Sequence, residues 1–95
     1  KYGSSATRTK FYSSKAMRYF PKLGVGEFLL ENGTLSVGDE VVLTGPTTGA
    51  LVFTVEELRL DLEPVQTVSK GDRFSMPVPA KIRPADRLYR WHTNP

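Results

Sequence analysis

Apolar residues along this chain recur mostly at a spacing of two, and Gly or Pro interrupts them every few residues. That is the pattern of short β-strands, whose side chains alternate between two faces. From Lys15 to Phe20 the segment reads as extended, and Pro21, which has no ladder donor, predicts an edge strand or a bend there. Gly24–Glu31 (GVGEFLLE) reads as a second strand whose two glycines predict a bulge or a close backbone approach. Asn32-Gly33 is a strong hairpin-turn signal, because both residues tolerate positive φ. Leu35 and Val37 lead to the turn Gly38-Asp39, and Glu40–Thr44 (EVVLT) is a compact strand closed by Gly45-Pro46-Thr47-Thr48-Gly49. In the next run Leu51, Phe53 and Val55 hold odd positions, while Leu58, Leu60 and Leu62 hold even ones. A strand keeps its buried residues on one parity, so the change at Glu56-Glu57 predicts a bulge or a crossing into another strand, with all six apolar residues buried. A helix over Val55–Leu62 competes, but LRLDLE alternates strictly and favours strand. Val65, Thr67 and Val68 lead to Gly71-Asp72, Arg73–Val78 is a further strand, and Leu88, Tyr89 and Trp91 form the last one. Pro77, Pro79 and Pro84 exclude a helix between them.

The sum is six or seven short strands and no amphipathic helix, which predicts an all-β fold, a small antiparallel β-barrel. Residues 1–14 (KYGSSATRTKFYSS) have no sustained period and read as a linker or frayed end, with Phe11 and Tyr12 available to dock on the body. The barrel domain is then residues 15–91, and 92–95 form a C-terminal tail. At 95 residues and ten aromatics there is material for one core and not for two.

Composition narrows the chemistry. With no cysteine, the chain lacks a disulfide framework, a thiolate zinc site and a cysteine nucleophile, and with His92 as its one histidine it lacks a multi-histidine metal site. Ser13, Ser14, Ser36, Ser69 and Ser75 lack a Gly-x-Ser-x-Gly elbow, so a hydrolytic triad is not expected. Asp39-Glu40 and Glu56-Glu57 are adjacent carboxylates, which a strand points to opposite faces, so they read as solvated charge. Gly24-x-Gly26 lacks the third glycine and the helix of a dinucleotide loop, and no Walker-type sequence exists. No cofactor and no metal is expected. No apolar run approaches the roughly 20 residues that span a bilayer, and no signal-peptide pattern opens the chain, so it reads as a cytoplasmic-type domain without a membrane partner. Its start at Lys1 reads as a domain excised from a longer protein.

The net charge of +3 is unevenly spread: residues 1–22 carry +6, residues 23–72 carry −7 and residues 73–95 carry +4. If the first and last strands pair, these ends form one basic region. Lys15, Arg18, Lys22, Arg87, Arg90 and Trp91 are the candidate binding residues, since interleaved cations and rings suit phosphate contacts and base stacking. The competing readings are a solvated surface, a contact with an acidic neighbouring domain, and aromatics that simply close the barrel.

Gly33-Thr34-Leu35-Ser36-Val37-Gly38-Asp39-Glu40-Val41 resembles a turn-and-strand of the second, β-barrel domain of translational GTPases such as elongation factor Tu, and Val68-Ser69-Lys70-Gly71-Asp72 resembles that barrel's second Gly-Asp turn. Over Tyr19–Gly49 (YFPKLGVGEFLLENGTLSVGDEVVLTGPTTG) and Arg73–Tyr89 (RFSMPVPAKIRPADRLY) the chain is similar to the C-terminal barrel of the collagenase-like peptidases, family U32. The resemblance covers about residues 15–91. It implies a non-catalytic accessory barrel that packs on or positions the catalytic domain of the parent chain, or its substrate. The family's presumed catalytic residues lie in a separate, larger domain, so the resemblance places no activity on any residue here. The alternative it implies is an RNA-contacting barrel, binding tRNA or rRNA.

Overall fold

The computed structural model describes the backbone of residues 7–94 and the side chains of residues 9–92. The strands are β1 (Thr7–Phe20), β2 (Val25–Leu30), β3 (Thr34–Ser36), β4 (Glu40–Gly45), β5 (Gly49–Thr54), β6 (Leu58–Leu60), β7 (Glu63–Val65), β8 (Thr67–Ser69), β9 (Arg73–Pro77) and β10 (Arg87–Asn94). Eight of them form one antiparallel sheet in the order β5-β4-β10-β1-β2-β9-β6-β7, and β3 pairs with β8 in a separate ribbon. No helix occurs among the described residues. The sheet curls around a single core, to which Phe28 and Leu30 of β2, Leu43 of β4, Phe74 and Met76 of β9 and Leu88 of β10 contribute fully buried side chains. Leu35 and Val68, opposite each other in the β3–β8 ribbon, enter the same core. The fold is therefore all-β and of small-barrel type, with no ladder joining the end strands β5 and β7 among the described residues.

Alternation explains β2 directly: Gly26, Phe28 and Leu30 are buried, and Val25, Glu27 and Leu29 lie on the outer face. The Phe28 and Phe74 rings stack at 5.5 Å between centroids. Gly26 is required by this packing, since a Cβ there would stand 2.7 Å from Ile82 Cδ1 and 2.9 Å from Phe28 Cε1.

Several expectations are corrected. The segment from Lys15 is not an edge strand: β1 lies between β10 and β2, and Pro21 falls in the turn after Phe20, where no ladder bond is lost. Residues 7–14, expected as linker, are the first half of β1, because β10 supplies a partner for their polar, β-compatible sequence; Thr7 pairs with Asn94 and Lys10 with Trp91. The same ladder draws His92, Thr93 and Asn94 of the expected tail into β10. Residues 1–6 and Pro95 lie outside the described residues. Asn32-Gly33 does turn the chain, with Gly33 at φ 71°, yet β2 and β3 do not pair, so no hairpin forms there.

The parity change at Glu56-Glu57 is a crossing. β5 ends at Thr54 beside β4, and β6 begins at Leu58 beside β9, towards the other end of the strand order. Val55 and Leu58 are buried on either side of the crossing. Leu62, expected in the core, is instead 82% exposed in the β6–β7 turn, because β6 ends at Leu60.

The two Gly-Asp turns are the same device used twice. In Ser36-Val37-Gly38-Asp39 the Asp39 carboxylate accepts the Ser36 N–H at 2.9 Å, and in Ser69-Lys70-Gly71-Asp72 the Asp72 carboxylate accepts the Ser69 N–H at 2.8 Å. Gly38 and Gly71 have φ of 98° and 94°, and an added Cβ would meet nothing within 4 Å at either. Substitution by Ala there should therefore cost only backbone strain, about 1 kcal/mol each in thermal or urea melts. Unchanged melts for both would contradict the turn geometry.

Candidate binding faces

Residues directly opposite across a ladder share a face, so the register defines what the sheet presents outward. Lys15 stands opposite Arg87 on one side and Leu29 on the other, and Leu29 stands opposite Arg73. Arg87, Lys15, Leu29 and Arg73 thus form one transverse row across β10, β1, β2 and β9, on the side away from the core. Adjacent strands are about 4.8 Å apart, so the row spans about 15 Å. A second row holds Tyr12 opposite Tyr89, their rings edge-to-face at 5.7 Å. Lys10 Nζ lies 4.6 Å from the Tyr89 ring centroid, and the Arg87 guanidinium 6.0 Å from that of Tyr12. Cations over rings of this kind are each worth about 0.5–1 kcal/mol at exposed sites.

The Tyr12 hydroxyl donates to a Glu31 carboxylate oxygen. Burial, then this bond and the Glu31 charge, push the Tyr12 phenol from its ordinary 10.0 up to about 12. A phenol raised in the folded state stabilises the fold fully below the unfolded pKa, and that contribution is lost as pH rises through the folded one. We therefore expect stability to fall between about pH 10 and pH 12 through Tyr12. Tyr12→Phe should remove that component and, in an ultraviolet titration, a phenolate that forms near pH 12; a curve identical to that of the unaltered chain would contradict the Glu31 bond.

The expected basic cluster is only partly assembled. Lys15 and Arg87 are neighbours, and Trp91, on the same parity as Arg87 and Tyr89, lies opposite Lys10 on the same face. Arg18 is on this face too, beyond an irregularity between Ala16 and Arg18, but it is engaged by Glu27 at 3.6 Å and lies over the Phe20 ring. Lys22 is exposed in the turn after β1, away from Arg87. Arg90 departs from the set. Three residues from Arg87, it falls on the opposite face, across from Phe11, in a groove of about 590 Å³ shared with Phe11, Asn32 and His92. Arg73 completes the outer row and is not readable from sequence as part of it, because its place depends on the β2–β9 register.

Some of the groups with catalytic potential are engaged structurally. Ser13 and Ser14 are buried together, their hydroxyls 3.0 Å apart, and His92 packs edge-on against Phe11 at 5.8 Å. Glu57 is held by Arg59 at 2.7 Å. Among the described residues no group of three or more His, Cys, Asp or Glu is placed to hold a metal, and no helix is long and apolar enough to cross a membrane.

Comparison with known proteins agrees with this architecture. The fold superposes on the C-terminal domain of a protein described as a U32 peptidase from Geobacillus thermoleovorans, with a TM-score of 0.78 at 16% identity over 85% of this chain and 91% of that one. A selenomethionine form of that domain gives 0.77 at 15% identity, over 81% and 95%. In sequence the chain is 53% identical over 91 residues to a collagenase of Porphyromonas gingivalis strain W83, covering 96% of this chain and 22% of that protein. It is 25% identical to an uncharacterized protease of Methanocaldococcus jannaschii over 87 residues, 92% of this chain and 21% of that protein. No family model matches. The chain is thus similar in sequence to part of the Porphyromonas gingivalis collagenases, and in fold to the C-terminal domain of the Geobacillus protein. The chain spans about a quarter or less of the length of the curated relatives it matches.

Proposed function

We propose that this barrel is a non-catalytic accessory module of a collagenase-like U32 protein, which packs on the catalytic portion and helps to position that portion or its polypeptide substrate. One observation carries the reading: the match to the collagenase takes in 96% of this chain but only 22% of that relative, in which the matched stretch is a small part of a much longer protein. The burial of Ser13 and Ser14 against each other and the pairing of Glu57 with Arg59 support the same view. The test is association in trans. The 95-residue chain, titrated calorimetrically into the longer protein lacking its barrel, should bind saturably; no heat at any concentration up to the millimolar range would overturn the docking role.

A second reading is favoured by one feature, the pairing of β1 with β10 that brings Lys15, Arg87 and Trp91 onto one face with Arg73. It takes that face as a track for single-stranded RNA, akin to a translation-factor barrel. Affinity for a labelled tRNA should then fall with salt, with a log–log slope of roughly −0.7 per phosphate neutralised. Arg87→Ala and Arg73→Ala should flatten that slope, whereas Arg90→Ala should not. No measurable tRNA affinity at physiological salt sinks this reading and leaves the docking role standing.

A further inference from the structure

The sheet ends in two strands of different character. β7 is three residues long and contains Glu63 and Pro64, a charge and a missing donor of the kind that blunts an edge against further pairing. β5 is six residues long, reads GALVFT, and has neither a charge nor a proline. Its ladder to β4 runs from Thr54 opposite Glu40 to Gly49 opposite Gly45 without a shift. Val55 shows which way its backbone groups point: the Val55 N–H donates to the Asp39 carbonyl and the Val55 carbonyl accepts the Gly38 N–H, both at 2.8 Å. These groups alternate along an antiparallel strand. Phe53 and Leu51 therefore turn theirs to β4 as Val55 does, and Ala50, Val52 and Thr54 turn theirs to the open edge. Among the described residues those three have no backbone partner.

The side chains suit the same edge. Ala50, Val52 and Thr54 are exposed on the outer face, Val52 at 57%, while Leu51 and Phe53 pack against the core and are only half-buried. In an antiparallel pairing of β5 with a second β5, opposite residues share a face, and edge-directed groups meet edge-directed groups. Only one register engages Ala50, Val52 and Thr54 of both strands. Val52 stands opposite Val52 of the second copy, Ala50 opposite its Thr54, and Thr54 opposite its Ala50. Leu51 then lies beside Phe53 of the second copy on the core side. This seam forms about six backbone hydrogen bonds and joins one β-branched pair and two aliphatic–aromatic pairs, all of favourable kinds. The acids that follow the strand, Glu56 and Glu57, come level with Thr48 and Thr47 of the second copy, so no like charges meet.

We propose that the open edge of β5 is a self-pairing surface, through which two copies of this chain join their sheets about a two-fold axis at Val52. The occupant is a second copy because the edge matches itself position for position and has no charge with which to select a different strand. A single six-residue seam buries less than a standard interface, so the dimer is weak, with a Kd of about 0.1 mM. Self-pairing is independent of the accessory role.

The test is sedimentation of the 95-residue chain from about 10 µM to about 1 mM, where a monomer should give way to a dimer, together with amide exchange by NMR. The N–H groups of Ala50, Val52 and Thr54 should exchange quickly in the monomer and at least about tenfold more slowly in the dimer. Those of Leu51 and Phe53, bonded to β4, should be slow at every concentration. Val52→Lys and Val52→Glu each set like charges opposite one another, and each should raise the Kd about tenfold or more. At this exposed position neither should move the melting temperature of the dilute chain by more than a few degrees. An equimolar mixture of the two variants should associate again, because residue 52 meets itself only in this register. A chain that stays monomeric to about 1 mM, a dimer that Val52→Lys leaves intact, or a mixture that fails to associate overturns the proposal. If the chain is monomeric and Val52→Lys instead weakens its association in trans with the rest of the longer protein, a strand of that portion takes the edge and the proposal is wrong.

Discussion

Replacing Phe28 by Ala is expected to cost about 3–5 kcal/mol, much of the stability of a domain this small. Phe28 is fully buried, stacks on Phe74 at 5.5 Å and lies on the strand that joins β1 to β9. Removing the ring deletes its own burial and leaves Phe74 facing a void that a curled sheet cannot collapse without losing register. For a domain of this length the melting temperature should drop by about 15 °C or more. Phe28→Leu, which keeps most of the volume, should cost less than half as much. Equal losses for the two variants, or a shift of only a few degrees for Ala, would contradict the core assignment.

Gly45→Ala is the second large effect, and it arises from contact, not from backbone conformation. A Cβ on Gly45 would stand 1.9 Å from Asp86 Oδ1. Asp86 is 2% exposed, and its other carboxylate oxygen accepts the Arg83 N–H at 3.0 Å and the Thr48 hydroxyl. Its backbone carbonyl accepts the Ala16 N–H at 2.8 Å, which ties the approach to β10 onto β1. A methyl group at residue 45 must displace either this carboxylate or the β4–β5 hairpin. We expect about 3 kcal/mol, against about 1 for Gly38→Ala, where the added atom meets open space. In an Asp86→Ala background the extra cost of Gly45→Ala should shrink to about 1 kcal/mol or less, a coupling read from a double-mutant cycle. Full additivity would show that the clash is not with Asp86.

These two positions illustrate what can be read from sequence and what cannot. Phe28 announces itself by alternation in Gly24–Glu31, and the Gly-Asp turns by residue type, since positive φ and a carboxylate three residues after a serine are local requirements. The crossing at Glu56-Glu57 shows through a change of parity. Partners do not show. Asn32-Gly33 turns the chain as its chemistry demands, but whether the flanking strands pair depends on β9 and β8 competing for them from far along the chain. Ser13 and Ser14 are both buried, which strict alternation forbids and the β1–β10 irregularity between Tyr12 and Ser14 permits. The same dependence on register decided the candidate cations: Lys15 and Arg87 meet because β1 pairs with β10, Arg90 turns away because it is three residues from Arg87, and Arg73 joins through β9. The exposed Leu62 was hidden for the opposite reason, a regular LRLDLE pattern that ends two residues before its last leucine.

The measurement that bears most directly on the accessory role is turnover of gelatin by three species side by side: the longer protein, the same protein without its barrel, and the 95-residue chain. The account predicts that the 95-residue chain cleaves nothing, and that the barrel-less protein still cleaves a short peptide while its kcat/KM on gelatin falls by about tenfold or more. Cleavage of gelatin by the 95-residue chain, abolished by a single substitution within it, would contradict the account.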